Sequence, residues 1–385
     1  MQDVKQLVAE VLNETADILT TGKLLLKAKV GITLLGSEHG EKEVLAGAET
    51  AQRQLPGVEV VVIGPPDIDT ELTKVVASSE ADCHAKMEQL LESGELDAAV
   101  TMHYNFPIGV ATVGLVVTPG RGGKMFIAST TGTAATDRVE AMVRSAVNGI
   151  ATAKAYGVND PTVGILNVDG ARQVERSLTE MKARGYNINF ITSSRNDGGV
   201  IMRGNDLLAG TPQVMVTDSL TGNLLMKIFS AYTTGGSYES LGYGYGPGVG
   251  EGFNKIIHII SRASGSPIIA GAIEYAVAMA QGKLTKVARE EITRANKAGL
   301  KEIAKPQRNQ PQAANAAVLP KKIVSKQIAG IDVLELDNAQ QLLWQQGIYA
   351  ETGMGCTGPI LLVAPEDLTQ ALAVMQKSRM IAADQ

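Results

Sequence analysis

Apolar residues in this chain recur in short runs, separated by stretches with the period of an amphipathic helix. The runs KVGITLL (29–35), VEVVVIG (58–64), DAAVTM (97–102) and KMFIA (124–128) read as strands. Helices are expected near 40–54, 82–94 and 133–157, with a polar loop GSEHGE after the first strand and a loop STTGT at 129–133. The alternation restarts near 160. Strand 162–168 (TVGILNV), helix 171–184, strand 187–192, strand 213–217 (QVMVT) and a helix near 220–233 are followed by a glycine-rich loop at 234–252, strand 255–260 and helix 267–281. Strands that are apolar almost throughout must be covered on both sides. Alternating with helices, they predict an α/β fold with a mostly parallel sheet and helices on both faces. The restart predicts two lobes with a ligand cleft between them.

Residues 1–28 read as a helix ahead of the first strand. Residues 299–325 lose the periodicity and carry proline, glutamine, asparagine and lysine, as a linker does. The pattern returns as a small βαβα unit: strand 329–336, helix 338–347, a loop, strand 360–364 and helix 366–378. The expected organisation is a helix at 1–28, a two-lobed domain at 29–298, a linker at 299–325 and a C-terminal unit at 326–385.

Composition narrows the function classes. A net charge of −5 gives no electrostatic reason to bind nucleic acid. No apolar run approaches the roughly 20 residues that cross a bilayer. The start, MQDVKQLVAEVLNETADIL, lacks the basic and apolar zones of a signal peptide. The 2 cysteines, Cys83 and Cys356, make no disulfide framework, and a cytoplasmic chain with free thiols is expected.

Three segments carry candidate chemistry. In VTDSLTGNLLMK (216–227) an apolar strand ends at Asp218 and a helix begins. Asp218 or Ser219 is placed to cap that helix, and the backbone near Gly222 and Asn223 offers N–H groups to an anion. The alternative is a well-capped turn and no more. In GPGVGEGFNKIIHIISRASGSP (246–267), Ser261, Arg262 and Ser264 follow a buried strand. A guanidinium there suits phosphate and the hydroxyls add donors, or else the arginine pairs with a carboxylate. In TGMGCTGP (352–359), Cys356 lies among glycines whose N–H groups would favour a thiolate and an oxyanion. Glycine-flanked cysteines are equally found as small buried residues.

The loop at 129–133 adds Ser129, Thr130 and Thr131 as anion donors, and TPGRGGK (118–124) adds Arg121 and Lys124. The 4 histidines, His39, His84, His103 and His258, show no metal-ligand spacing. His258 reads as a satisfied core residue, whereas His39 and His103 are placed to face the cleft. The glycines around 242–252 complete no G-x-G-x-x-G, and no G-x-x-x-x-G-K-[ST] occurs, so a nicotinamide dehydrogenase or P-loop NTPase has little support and no cofactor is expected.

The Asp218 and Ser261 segments resemble the phosphotransacetylase, phosphotransbutyrylase and PlsX-type acyltransferases over residues 30 to 285. DSLTGNLLMK looks like the D-G-x-x-G-N-x-x-L-K segment of that group. The run ending in Ser261–Arg262 looks like its Ser-Arg phosphate contact. Phosphotransacetylases carry, six residues after that arginine, an aspartate that acts on the coenzyme A thiol. This chain has Ile268 there, so coenzyme A is in doubt as the thiol. With its appended TGMGCTGP unit, the chain resembles a narrower family, the alpha subunits of component C of glycine/sarcosine/betaine reductase complexes.

That resemblance implies an acetyl-cysteine thioester on Cys356 and its cleavage by phosphate to acetyl phosphate, to which the residues themselves add the N–H groups of Gly355, Thr357 and Gly358 as expected oxyanion donors. It also implies a ketoacyl-synthase-like beta subunit and selenoprotein A as partners in a hetero-oligomer. Two rival readings are a PlsX-like or phosphotransacetylase-like enzyme using acyl carrier protein or coenzyme A, and a non-catalytic scaffold.

Overall fold

The computed structural model describes residues 28–195, 199–303, 319–332, 335–355, 358–378 and 380–381. The helix expected at 1–28 and residues 304–318 of the linker lie outside that range, apart from Ala28. The chain runs β1 (Ala28–Thr33), α1 (Glu41–Gln54), β2 (Val58–Gly64), β3 (Thr73–Val76), α2 (Glu80–Ser93), β4 (Ala98–Thr101), β5 (Val110–Val117), β6 (Lys124–Thr133) and α3 (Arg138–Ala155). It continues with β7 (Thr162–Leu166), α4 (Ala171–Ala183), β8 (Asn189–Phe190), β9 (Ile201–Met202), α5 (Gly204–Ala209), β10 (Val214–Val216) and α6 (Ser219–Ala231). Then come β11 (Gly246–Gly250), β12 (Ile257–Ile259), α7 (Ser266–Gln281), α8 (Leu284–Lys297) and α9 (Leu300–Ile303).

These strands form one 12-stranded sheet in the order β3-β2-β1-β4-β12-β11-β5-β6-β10-β7-β8, with β9 also on β7. Its flanks are parallel, as the alternation of strand and helix predicts. At its centre the pairs β12–β11, β11–β5 and β5–β6 are antiparallel, so the two parallel halves run in opposite senses. Both faces are covered. Val214 and Val216 of β10 join a core with α3 residues such as Val147 and Ile150. Met215, pointing the other way, joins a second core with Met226 and Phe229 of α6. Likewise Val60 and Val62 pack with Val44 and Ala48 of α1, while Val61 and Ile63 pack with Cys83 and Met87 of α2. No described helix is long and apolar enough to cross a membrane.

The central strands are where the structure departs from the sequence expectation. STTGT is not a loop: β6 continues through Thr133 and pairs there with Val110. Its β-branched threonines fit a pleated surface. The loop expected at 234–252 contains β11, whose sequence GPGVG hides a strand. Its glycines are required by close neighbours, since a Cβ on Gly248 would lie 2.3 Å from the Phe106 ring.

The C-terminal unit comprises β13 (Lys326–Ile328), α10 (Leu336–Gln345), β14 (Ala350–Gly355), β15 (Gly358–Val363) and α11 (Leu368–Lys377). It is βαββα, not βαβα, because Thr352–Gly355 pairs as a strand where a loop is expected. Ile328, Leu343, Leu361, Val363 and Met375 form its own core. Arg176 of α4 ties it to the main sheet, donating to Glu335 at 2.5 Å and to the Met380 carbonyl at 3.3 Å.

Candidate active site

Helix α6 links two of the segments singled out in the sequence. At its start Asp218 is the N-cap, accepting from the Thr221 N–H at 3.1 Å and the Thr221 hydroxyl at 2.7 Å. Arg138, at the start of α3, donates to Asp218 at 3.1 Å and lies 3.8 Å from Asp169. Burial alone would raise the Asp218 carboxyl. The Thr221 donors and the Arg138 guanidinium outweigh it and hold the carboxyl below its ordinary value.

A cavity of about 280 Å³ opens here, lined by Ser129, Thr133, Arg138, Thr217, Asp218 and Ser219 among others. Thr217 is fully buried, and its hydroxyl has no hydrogen-bond partner among the described residues. With Arg138 already between two carboxylates, this cavity suits a neutral polar group better than a dianion.

Gly222 lets α6 sit directly on β6: a Cβ there would come within 1.8 Å of the Ser129 carbonyl oxygen. The Gly222 N–H bonds the Asp218 carbonyl at 2.9 Å within the helix, so it is not open to a ligand. Asn223 is half-buried on the same helix. Thr130 is buried and donates to the Tyr245 carbonyl at 2.8 Å, and the Thr131 N–H bonds the Thr112 hydroxyl at 3.0 Å.

Lys227 lies nine positions beyond Asp218, about 13 Å along the helix axis at ~1.5 Å per residue. There it reaches the turn that follows β12. The Ser261 N–H bonds the Ser264 hydroxyl at 3.0 Å, and the Ala263 N–H bonds the Ser261 hydroxyl at 3.2 Å. The turn is gripped from outside. Glu38 N–H donates to the Arg262 carbonyl at 2.9 Å, Glu239 N–H donates to Ala263 at 3.0 Å, and a ring nitrogen of His39 is 3.2 Å from the same Ala263 carbonyl. Glu43 accepts from Tyr238 at 2.6 Å and from the Ser266 N–H at 2.7 Å, and these bonds hold its carboxyl below the ordinary value.

Arg262 is half-exposed and 3.3 Å from Glu80. Such an exposed pair is worth about 1 kcal/mol or less and leaves other guanidinium donors free to meet an anion. Ile268 is fully buried in α7. Carboxylates that contact this turn come instead from Glu43, Glu80 and Glu239, none adjacent in sequence to Ser261. Sequence reasoning passes over them, and over Arg138 and Tyr245, because only the fold brings them to the strand ends. Lys227 is the exception: it stands in the DSLTGNLLMK segment.

Other candidates are otherwise engaged. Lys124 donates to the Tyr156 hydroxyl at 2.6 Å and sits over the Tyr243 ring, so it is no anion donor. Arg121 and His103 are exposed. Cys83 is fully buried, and burial pushes its thiol up to about 11. His258 is buried against the edge of Tyr275, but neither ring nitrogen has a hydrogen-bond partner among the described residues. It is therefore a core residue but not a satisfied one. Cys356 and Thr357 lie outside the described residues. The flanking strands pair as far as Gly355 and Gly358.

The two-faced sheet, with an acidic helix cap at one end of α6 and a Ser-Arg turn at the other, defines an α/β protein with a mixed, mostly parallel sheet. The chain belongs to the family described as fatty acid synthesis protein, whose profile matches residues 28–362. It is 52% identical over 386 residues to the glycine/sarcosine/betaine reductase complex component C subunit alpha of Peptoclostridium acidaminophilum, covering 99% of this chain and 100% of that one. A phosphate acyltransferase of Thermus thermophilus is 27% identical over 235 residues, covering 52% of this chain and 70% of the relative. A branched-chain phosphotransacylase structure from Enterococcus faecalis aligns with a TM-score of 0.47 at 14% identity, over 66% of this chain and 99% of that one.

Proposed function

We propose that this chain is the acetyl-transferring alpha subunit of a glycine/sarcosine/betaine reductase complex, and that it releases an enzyme-bound acetyl thioester to phosphate as acetyl phosphate. The reading is carried by the 52% identity to a component C alpha subunit, which runs nearly the full length of both chains and so takes in the C-terminal unit. The Ser261–Arg262 turn supports it as the place for phosphate, and the apolar Ile268 is consistent with a protein thiol in place of coenzyme A.

Cys356 carries the acetyl group as a thioester in this mechanism. An oxygen of hydrogen phosphate, held by Arg262 and Ser261, attacks the carbonyl carbon. The new C–O bond forms first, N–H groups around Gly355 and Gly358 hold the resulting oxyanion, and its collapse breaks the C–S bond, the leaving thiolate taking the proton lost by phosphate. A ketoacyl-synthase-like beta subunit and selenoprotein A supply the acetyl group.

Arsenate-dependent hydrolysis of acetyl phosphate, with partner subunits present, tests the reading. Cys356→Ala and Arg262→Ala should each lose most activity. Full activity in Cys356→Ala removes the nucleophile, and absence of an acetyl mass on Cys356 after exposure to acetyl phosphate would favour a scaffold.

A further inference from the structure

The Ser261 turn is part of a larger cluster that takes Lys227 from the Asp218 segment and Glu239 and Tyr245 from a stretch no motif identifies. Lys227 donates to the Ser261 hydroxyl at 3.4 Å, and its ammonium lies 3.7 Å from Glu239. Ser261 therefore receives two hydrogen bonds, from Lys227 and from the Ala263 N–H. A hydroxyl accepts at most two and donates one, so the Ser261 proton is directed away from Lys227 and Ala263, toward the neighbouring Tyr245 hydroxyl or an incoming acceptor. Ser264 is fixed in the same way, accepting from the Ser261 N–H and donating to Glu239 at 3.4 Å.

Tyr245 adds a fifth side chain. It is only 4% exposed, and its backbone is pinned by Thr130 and by the Ile259 carbonyl. Its hydroxyl comes close to Ser261 and Glu239 but reaches hydrogen-bond geometry with no group among the described residues. An unpartnered buried hydroxyl costs roughly 1–3 kcal/mol unless a ligand completes it. Burial and the Glu239 charge push its ionisation upward, so it stays a donor. Glu239 is itself buried, at 3% exposure, and holds both Lys227 and Ser264.

We propose that Lys227 and Tyr245 bind the same phosphoryl group as Ser261 and Arg262, and that Glu239 is a positioning residue which aims Lys227 and Ser264 at it. The inference rests on the phosphate reading of the Ser261–Arg262 turn. The ligand class is a phosphoryl dianion, either inorganic phosphate or the terminal group of an acyl phosphate.

Calorimetric titration of the full chain with inorganic phosphate, repeated with acetyl phosphate, tests it. Lys227→Met should raise Kd about tenfold or more, as loss of a charged donor does, and Tyr245→Phe about fivefold, with the ring volume retained. Glu239→Gln is the sharpest arm. A bystander carboxylate beside an anion repels it, so its neutralisation would tighten binding. A positioning carboxylate predicts the opposite, a Kd raised by about threefold or more, with partial rescue by Glu239→Asp. If Ser261→Ala and Arg262→Met weaken binding while Lys227→Met and Tyr245→Phe do not, the phosphate reading stands and this inference falls. Tighter or unchanged binding in Glu239→Gln removes its positioning role. If wild type shows no saturable binding, or no variant changes it, both fall.

Discussion

The Lys227 ammonium lies 3.4 Å from the Ser261 hydroxyl, across a separation of 34 positions in the chain. Through this contact α6 joins two segments that stand apart in the sequence. The same helix has Asp218 and Arg138 at its other end, so its placement on β6 governs both ends at once.

Gly222 sets that placement. Gly222→Ala puts a methyl group against the Ser129 carbonyl, where a Cβ would sit at 1.8 Å. Backbone cannot yield as a flexible side chain does, so the expected loss is at least about 1–3 kcal/mol. Urea unfolding would show it as a lower midpoint, and an unchanged midpoint would contradict the packing described.

Asp218 caps α6 and pairs with Arg138. Asp218→Ala should cost about 1–2 kcal/mol in stability. Asp218→Asn keeps an acceptor for the Thr221 N–H and should cost less. Equal losses in the two variants would assign the effect to the Arg138 pair and not to the cap.

His258 gives the fold an acid sensitivity. Burial lowers its pKa to about 3, while the unfolded chain titrates near 6.5. Between those values the unfolded state binds a proton that the native state does not. Stability from this group is complete above about 6.5 and falls as pH drops toward 3, by at most about 1.4 kcal/mol per pH unit. His258→Phe, which keeps a ring against Tyr275, should flatten the stability profile between pH 6 and 4, roughly this titration window. A profile as steep as that of wild type would place the acid response elsewhere.

Arg176 anchors the C-terminal unit through Glu335 and the Met380 carbonyl. Arg176→Met should speed amide exchange in α10 while leaving α3 and β10 protected, because the unit has its own core. Equal acceleration in both regions would mean that the two cores unfold as one.

Local pattern was enough for most of the framework. Apolar runs such as VEVVVIG and QVMVT cannot sit half-exposed, so they announced a sheet covered on both faces. Asp218 before SLTGN announced a helix cap, because a short carboxylate ahead of free N–H groups is a local interaction. The antiparallel centre of the sheet was not legible. Strand β11 is made of glycine, proline and valine, and its glycines stand where β5 and Phe106 approach too closely for side chains.

The candidate site divides in the same way. Ser261, Arg262 and Lys227 stand in two recognisable segments, and their chemistry can be read from residue type. Glu239, Tyr245, Glu43 and Glu80 enter only through tertiary structure, since they come from the α6–β11 connection, α1 and α2 and meet the turn only when the sheet is assembled. Sequence determined which groups were suited to an anion. The fold decided which of them were already occupied, as Lys124 is by two tyrosines, and which were left with an open donor, as Ser261 is. Hydrogen-bond capacity is fixed by side-chain chemistry, but its satisfaction depends on what packing brings within about 3 Å.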